Sequence, residues 1–219
     1  PVRQELGSEI RRCFVPREGW VFVDADYSQI ELRVLAHIAG DERMIQAFNN
    51  NEDIHAVTAS QVFGVPLDQV SHEMRSRAKA VNFGIVYGIS AFSLSEDIGV
   101  YPKQAQQYMD AYLEKYHGVR EYMAGIKEKA KEDGYVTSSF GRRRWIPELK
   151  AANFNVRAYG ERVALNTPIQ GTAADIIKLA MIHVADALED EKLRSRLVLQ
   201  VHDVLILECP AEEADRASE

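Results

Sequence analysis

With 219 residues, 46% of them apolar and 27% charged, the chain has the make-up of an ordinary globular protein with room for one large core or two small ones. No apolar run approaches the roughly 20 residues needed to cross a bilayer, and no signal-peptide pattern opens the chain. Two cysteines, Cys13 and Cys209, argue against a disulfide framework, so a reducing cytoplasm is the default compartment and both thiols are expected to pack as small hydrophobes.

The net charge of −7 speaks against a nucleic-acid partner only if the cations are evenly spread. They are not. Basic residues gather at Arg11-Arg12, at Arg75, Arg77 and Lys79, and at Arg142–Arg144, while acid concentrates in Glu189–Glu191 and the tail from Glu212.

Along the chain, Val21–Asp26 alternates like a strand and sets Asp24 and Asp26 on one face. Ser28 is a candidate cap for a helix from Gln29 to about Ile38, closed by Gly40. Short helices are predicted over Met44–Phe48 and Ile54–Phe63. After Pro66 and Ser71, a long helix is expected from about His72 to Tyr87. Helix signals return over Lys103–Tyr116 and Arg120–Asp133, and turn residues surround a short extended piece between Gly134 and Gly141. A helical stretch covers Val156–Leu165. Pro168 suits the start of another, whose apolar spacing through Ala173, Ile177 and Val184 marks a partly buried face.

Leu197–Glu208 reads as two apolar strands with His202-Asp203 at a tight hairpin tip. Strands at both ends and helices between them predict an α+β fold, an antiparallel sheet interrupted by a helical insertion. The chain opens at Pro1 and stops in what reads as an unfinished helix, so it is expected to be cut from a longer protein.

Two features carry chemistry. Asp26 ends one strand and Asp203 sits at a hairpin tip, and if those strands pair, the two carboxylates meet at a sheet edge. There they could hold two hard cations roughly 3.5–4 Å apart, the arrangement that serves phosphoryl transfer. Aspartates at turns also satisfy turn geometry alone, and spacing does not separate the two readings. On the long helix Arg75, Lys79, Phe83 and Tyr87 recur every four residues and form one stripe, cationic then aromatic. Arg75 to Phe83 spans roughly 12 Å at 1.5 Å per residue, about the length of a nucleoside triphosphate. Guanidinium and ammonium groups suit phosphate oxygens and an aromatic face suits a base or sugar. The plain alternative is a helix with a solvated basic end and a packed aromatic end. Gly84 and Gly88 favour close approach of a backbone or a ligand.

Asp26-Tyr-Ser-Gln-Ile-Glu-Leu-Arg33 resembles motif A of the family A DNA polymerases. Arg75–Gly88 is similar to their motif B helix, Gln200-Val-His-Asp203 to their motif C, and Thr167–Lys178 to the segment that precedes motif C in bacterial members. The four stretches occur in order across the chain. The resemblance implies a right-hand polymerase whose palm takes residues 1–36 and 161–219 and whose fingers take 37–160, with thumb and exonuclease-like domain outside this chain. It implies template-directed addition of deoxynucleotides to a primer 3′ end, using two Mg2+ ions, with Mn2+ as a possible substitute. The implied partners are primer–template DNA and deoxynucleoside triphosphates, with no membrane, for a monomer that is part of a longer cytoplasmic polymerase.

By the same resemblance Asp26, Asp203 and the carbonyl of Tyr27 are metal ligands. Arg75 and Lys79 grip the triphosphate, and Lys79 is a candidate proton donor to the leaving pyrophosphate. Phe83 packs on sugar and base, Glu31 and Tyr87 crowd the 2′ position, and Gln29 and His55 complete the pocket. Arg162, Asn166, Gln170 and His202 touch primer–template. One position departs from the family pattern: motif C continues His-Asp-Glu, whereas Val204 follows Asp203 here. Two other readings stay open, a non-catalytic or inactivated DNA-binding fragment and a single-subunit RNA polymerase. Glu31 and Asn82-Phe83-Gly84 favour deoxynucleotides.

Overall fold

The structure, a computed structural model, describes residues 9–219 with Arg11 excepted, so one half of the first basic pair lies outside the described residues. In chain order it contains strand β1 (Trp20–Asp26) and helices α1 (Ile30–Ala39), α2 (Glu42–Asn49), α3 (Ile54–Phe63), α4 (His72–Tyr87), α5 (Ala91–Ile98), α6 (Pro102–Lys115) and α7 (His117–Asp133). Strands β2 (Tyr135–Thr137) and β3 (Arg143–Trp145), helix α8 (Phe154–Asp190), strands β4 (Arg196–Val201) and β5 (Val204–Pro210) and the short α9 (Ala214–Ala217) complete it. The chain divides into two units, one formed by the residues up to Ser28 with Ile176–Glu219, the other by Gln29–Asp175.

The first unit carries an antiparallel sheet in the order β1-β5-β4. β1 pairs with β5 from Trp20↔Pro210 to Asp26↔Val204. Directly paired residues project to the same face, and faces alternate along each strand. Val21, Val23 and Ala25 therefore share a face with Cys209, Leu207 and Leu205, and those last three are buried. The opposite face carries Phe22, Asp24 and Asp26 with Glu208, Ile206 and Val204. Arg17 fastens the approach to β1 by donating from its backbone N, Nε and Nη2 to the Glu208 carboxylate, and its guanidinium lies over the Trp20 ring at 4.1 Å.

The second unit is helical, with the two-stranded β2–β3 hairpin. Four of its helices, α2 to α5, begin on short polar caps: Asp41 accepts from Met44 N, Asp53 from His55 N and Ala56 N, Ser71 from Met74 N, and Ser90 from Ser93 N. α3 packs along α4, burying Ile54 and Ala59 with Ala78, Val81 and Ile85. A second cluster joins Ala130, Val136, Ile146, Leu149 and Ala164.

Several local expectations are corrected. α1 starts one residue later than expected, on Gln29 in the left-handed region (φ 57°), which makes no side-chain cap, so Ser28 is not its cap residue. α5 has no counterpart in the sequence reading, although Ser90 and Gly99 bracket it as cap and terminator. Pro168 lies inside α8 and does not start it. Leu165, Ile169 and Ala173 are buried at four-residue spacing on either side, and that stripe carries the helix through the missing N–H. Cys13 is exposed, while Cys209 is buried as expected. The Arg142–Arg144 turn is in part strand β3, and Arg142 donates from Nε (2.9 Å) and Nη2 (2.7 Å) to the buried Asp175.

Candidate active site

In the first unit, backbone pairing brings the two aspartates together. β4 and β5 close at Val201↔Val204, leaving His202-Asp203 as a two-residue tip with His202 at φ 55°. Gln200 Nε2 donates to His202 O at 2.7 Å and braces that tip. Tyr27 N then donates to Asp203 O at 3.1 Å, so the chain leaving Asp26 is stitched to the residue that offers the second carboxylate. Asp26 is exposed and Asp203 half-buried.

Two carboxylates with a neighbouring backbone carbonyl are an all-oxygen donor set, which suits Mg2+ or Mn2+. Among the described residues no group of three or more His, Cys, Asp or Glu is placed to hold a metal. Val204, where a third carboxylate stands in the family motif, lies opposite Asp26 on the same face of the sheet.

In the second unit the α4 stripe forms as the four-residue spacing requires. Phe83 and Tyr87 stack at 6.1 Å between ring centroids with planes 15° apart, and Lys79 Nζ lies 5.9 Å from the Phe83 ring. Tyr87 donates its hydroxyl hydrogen to Glu31 Oε2 on α1 at 3.0 Å, joining the two residues expected at the sugar. His55 on α3 sits 6.0 Å from the Phe83 ring. Gln29 is half-buried at the start of α1.

Asp53, absent from the sequence reading, and Asn82, read there only as part of Asn82-Phe83-Gly84, organise this stripe. Asp53 caps α3 with Oδ1 and accepts from Arg75 Nε with Oδ2 at 2.6 Å. Burial pushes its carboxyl up, but the Arg75 hydrogen bond and charge and the two backbone donors outweigh this and hold it below the usual range. Asn82 is fully buried and meets His55 Nδ1 at 2.9 Å. His55 itself is 3% exposed. Burial, the largest influence, together with the Arg75 and Lys79 charges lowers its pKa to about 4 against the opposing pull of Asp53. Asp53 could have been found as the residue before an apolar helix. Asn82 looks like one more helical polar residue until the fold buries it.

The glycine expectation resolves into packing. A Cβ on Gly84 would lie 2.9 Å from Ile89 Cδ1. Gly88 ends α4 at φ 62° with Leu165 Cδ2 3.0 Å from where its Cβ would be. Gly84, Gly88 and Arg162 line a cavity of about 270 Å³. Arg162, Asn166 and Gln170 recur every four residues along α8 and share one stripe, with Arg162 and Gln170 exposed. His202 is exposed in the other unit. Among the described residues no helix is long and apolar enough to cross a membrane.

Comparison with known proteins places this chain among relatives. The family model described as DNA polymerase family A matches residues 1–219. DNA polymerase I of Bacillus subtilis (strain 168) is 56% identical over 216 residues, covering 98% of this chain and 24% of the relative. DNA polymerase I of Caldicellulosiruptor bescii is 52% identical over 219 residues, 100% of this chain and 26% of the relative. The chain thus spans about a quarter of the length of the curated relatives it matches. Among solved structures, the POL domain of Pol1 from M. smegmatis, in complex with DNA primer-template and dNTP, is similar with a TM-score of 0.92 and 46% identity, over 99% of this chain and 38% of that one. A matching model across the whole chain and relatives half identical to it lead to one statement: the chain belongs to DNA polymerase family A.

Proposed function

We propose that this chain is the palm and fingers portion of a DNA-directed DNA polymerase that adds deoxynucleotides to a primer 3′ end. Residues 1–36 and 161–219, which include the β1-β5-β4 sheet, are read as palm and residues 37–160 as fingers. The observation that carries the reading is the 3.1 Å bond from Tyr27 N to Asp203 O, which unites carboxylates far apart in sequence on one strand end and one hairpin tip.

In this reading Asp26, Asp203 and the Tyr27 carbonyl hold divalent cations. When bound, those ions supply charge neutralisation for a phosphoryl transfer in which the primer 3′-oxygen bonds to the α-phosphorus and pyrophosphate leaves. Arg75 and Lys79 bind the triphosphate oxygens, and Lys79 donates a proton to the departing pyrophosphate. Phe83 packs on sugar and base. The Tyr87–Glu31 pair stands at the sugar and excludes a 2′-hydroxyl by leaving it no room. Arg162, Asn166, Gln170 and His202 contact primer–template; Gln29 and His55 complete the nucleotide pocket.

A second reading has one specific observation behind it. Val204 gives the cluster two carboxylates where the family motif offers three, as a DNA-binding but weakly catalytic polymerase would have. Primer extension by the intact protein over a magnesium titration decides between them. Steady template-directed addition of deoxynucleotides supports the first reading, and primer–template binding without extension supports the second.

A further inference from the structure

Behind the α4 stripe runs a line of buried polar groups from the junction of α6 and α7 through α3 to α4. Tyr116, Thr58 and Asn82 are each fully buried. Tyr116 OH lies 3.3 Å from Thr58 Oγ1, Thr58 Oγ1 donates to Asn82 Oδ1 at 3.2 Å, and Asn82 Nδ2 lies 2.9 Å from His55 Nδ1. The direction of every bond follows from its far end. Burial raises the Tyr116 phenol to about 12, so its proton stays on, and Thr58 is the hydrogen-bond partner the structure gives that hydroxyl. A buried O–H donates if an acceptor is present, so Tyr116 donates to Thr58. Thr58 must then send its own hydrogen to Asn82, which fixes the amide with Oδ1 towards Thr58 and Nδ2 towards His55.

We propose that Asn82 is a positioning residue that fixes the His55 imidazole in its Nε2–H tautomer, with Nδ1 as acceptor. The ring then offers a neutral N–H donor to a triphosphate oxygen; this use of the donor rests on the polymerase reading above. Gln61 Oε1 is the one buried side-chain polar atom without a partner among the described residues. The Nε2 edge of His55, which pairs with none of them, is therefore where the ring touches solvent. A neutral donor there binds phosphate by direction and leaves the charge to Arg75 and Lys79.

The test is nitrogen NMR on the intact protein labelled at histidine, with the His55 signal assigned by its loss in His55→Gln. At pH 7 the ring should show a protonated Nε2 and a bare Nδ1; a protonated Nδ1 overturns the proposal. Asn82→Asp replaces the amide donor by an acceptor and should move the proton onto Nδ1, with KM for the deoxynucleotide rising about three- to tenfold and kcat within twofold. Should that variant fail to fold, Tyr116→Phe removes the first donor, and the pure Nε2–H signature should become a mixture. An unaltered signature in both folded variants also overturns it. A tautomer switch with unchanged KM supports the tautomer assignment and removes His55 from the nucleotide site, which counts against that part of the polymerase reading alone.

Discussion

The two units place their site residues by different means. In the sheet unit the aspartates are located by backbone pairing: the β1–β5 register ends at Asp26↔Val204, and one main-chain bond ties Tyr27 to Asp203. The face that bears Asp26 is open, with Phe22, Leu199 and Val201 exposed on it. In the helical unit the site side chains are held by other side chains: Arg75 by Asp53, Tyr87 by Glu31, and His55 by Asn82. Carboxylates that ligand a cation need a location and can be oriented by the cation itself. Groups that hydrogen-bond a nucleotide need orientation before it arrives.

The comparison breaks most visibly at the aspartates. Asp26→Ala or Asp203→Ala in the intact enzyme should cut nucleotide addition by about a thousandfold or more, because each removes oxygen ligands from the charge that stabilises transfer. Backbone register does not depend on either carboxylate, so the thermal midpoint should stay within a few degrees. Primer extension near the normal rate with either variant would remove the metal-ligand assignment.

In the helical unit Lys79→Ala should weaken triphosphate use about 10- to 100-fold, the loss of one charge-assisted bond of roughly 1.5–3 kcal/mol. Primer–template affinity should hardly change. Equal losses in separately measured nucleotide and DNA affinities would reassign the residue to DNA.

Orientation by buried side chains has a pH signature that register lacks. The pKa of His55 is about 4 in the fold against an ordinary 6.5. Between those values the unfolded chain binds a proton that the folded one refuses, so stability is complete above pH 6.5 and lost as pH falls towards 4. The ceiling is about 3 kcal/mol for a shift of this size. Urea midpoints from pH 7 to pH 4 should fall more steeply for the unaltered protein than for His55→Gln. Parallel curves would mean that the ring is not held neutral by its surroundings.

On the polymerase reading, in which Glu31 stands beneath the sugar, Glu31→Ala should lower discrimination against ribonucleotides by roughly tenfold or more, since removing one such contact is worth about 1–3 kcal/mol. The measured quantity is the ratio of kcat/KM for deoxy and ribo substrates. If the Tyr87–Glu31 bond matters chiefly for aiming Tyr87, Tyr87→Phe should reproduce part of the effect. An unchanged ratio in both would clear the pair of any role at the sugar.

What the sequence disclosed follows the same division. The strand around Asp26, the hairpin tip at Asp203 and the α4 stripe are written in period-two and period-four spacing, and the structure forms all three. α4 runs over His72–Tyr87, the range its cap and spacing predict. Asn82 and Thr58 were not legible as buried partners, because each depends on which helix packs on which, and a polar residue inside a helix carries no local sign that it will be buried. Asp53 was legible as a cap but not as the partner of Arg75. The passage of α8 through Pro168 escaped for a related reason, because tertiary burial overrode the local punctuation, whereas α5 lies between a legible cap, Ser90, and a legible terminator, Gly99.

Val204 is the position where backbone placement gives the finest prediction. Alternation within β5 sets it on the face opposite to Leu205, whose side chain is buried, and pairing sets it directly across from Asp26. A glutamate there would add its carboxylate beside Asp26, with a longer stem and no demand on the main chain. Valine in turn suits an extended strand and keeps the hairpin intact without the charge. Val204→Glu should therefore leave the maximal extension rate unchanged or raise it by less than about tenfold, while lowering the magnesium concentration needed for half-maximal rate, since one more oxygen ligand strengthens a hard-cation site. A magnesium titration of both forms, with the thermal midpoint measured alongside, separates the cases. A shift in magnesium requirement alone assigns the missing carboxylate an auxiliary part in a cluster that Asp26 and Asp203 hold on their own. Recovery from near zero would mean that valine had switched the enzyme off, and a fall in rate would mean that the strand register does not bring position 204 to the face that bears Asp26.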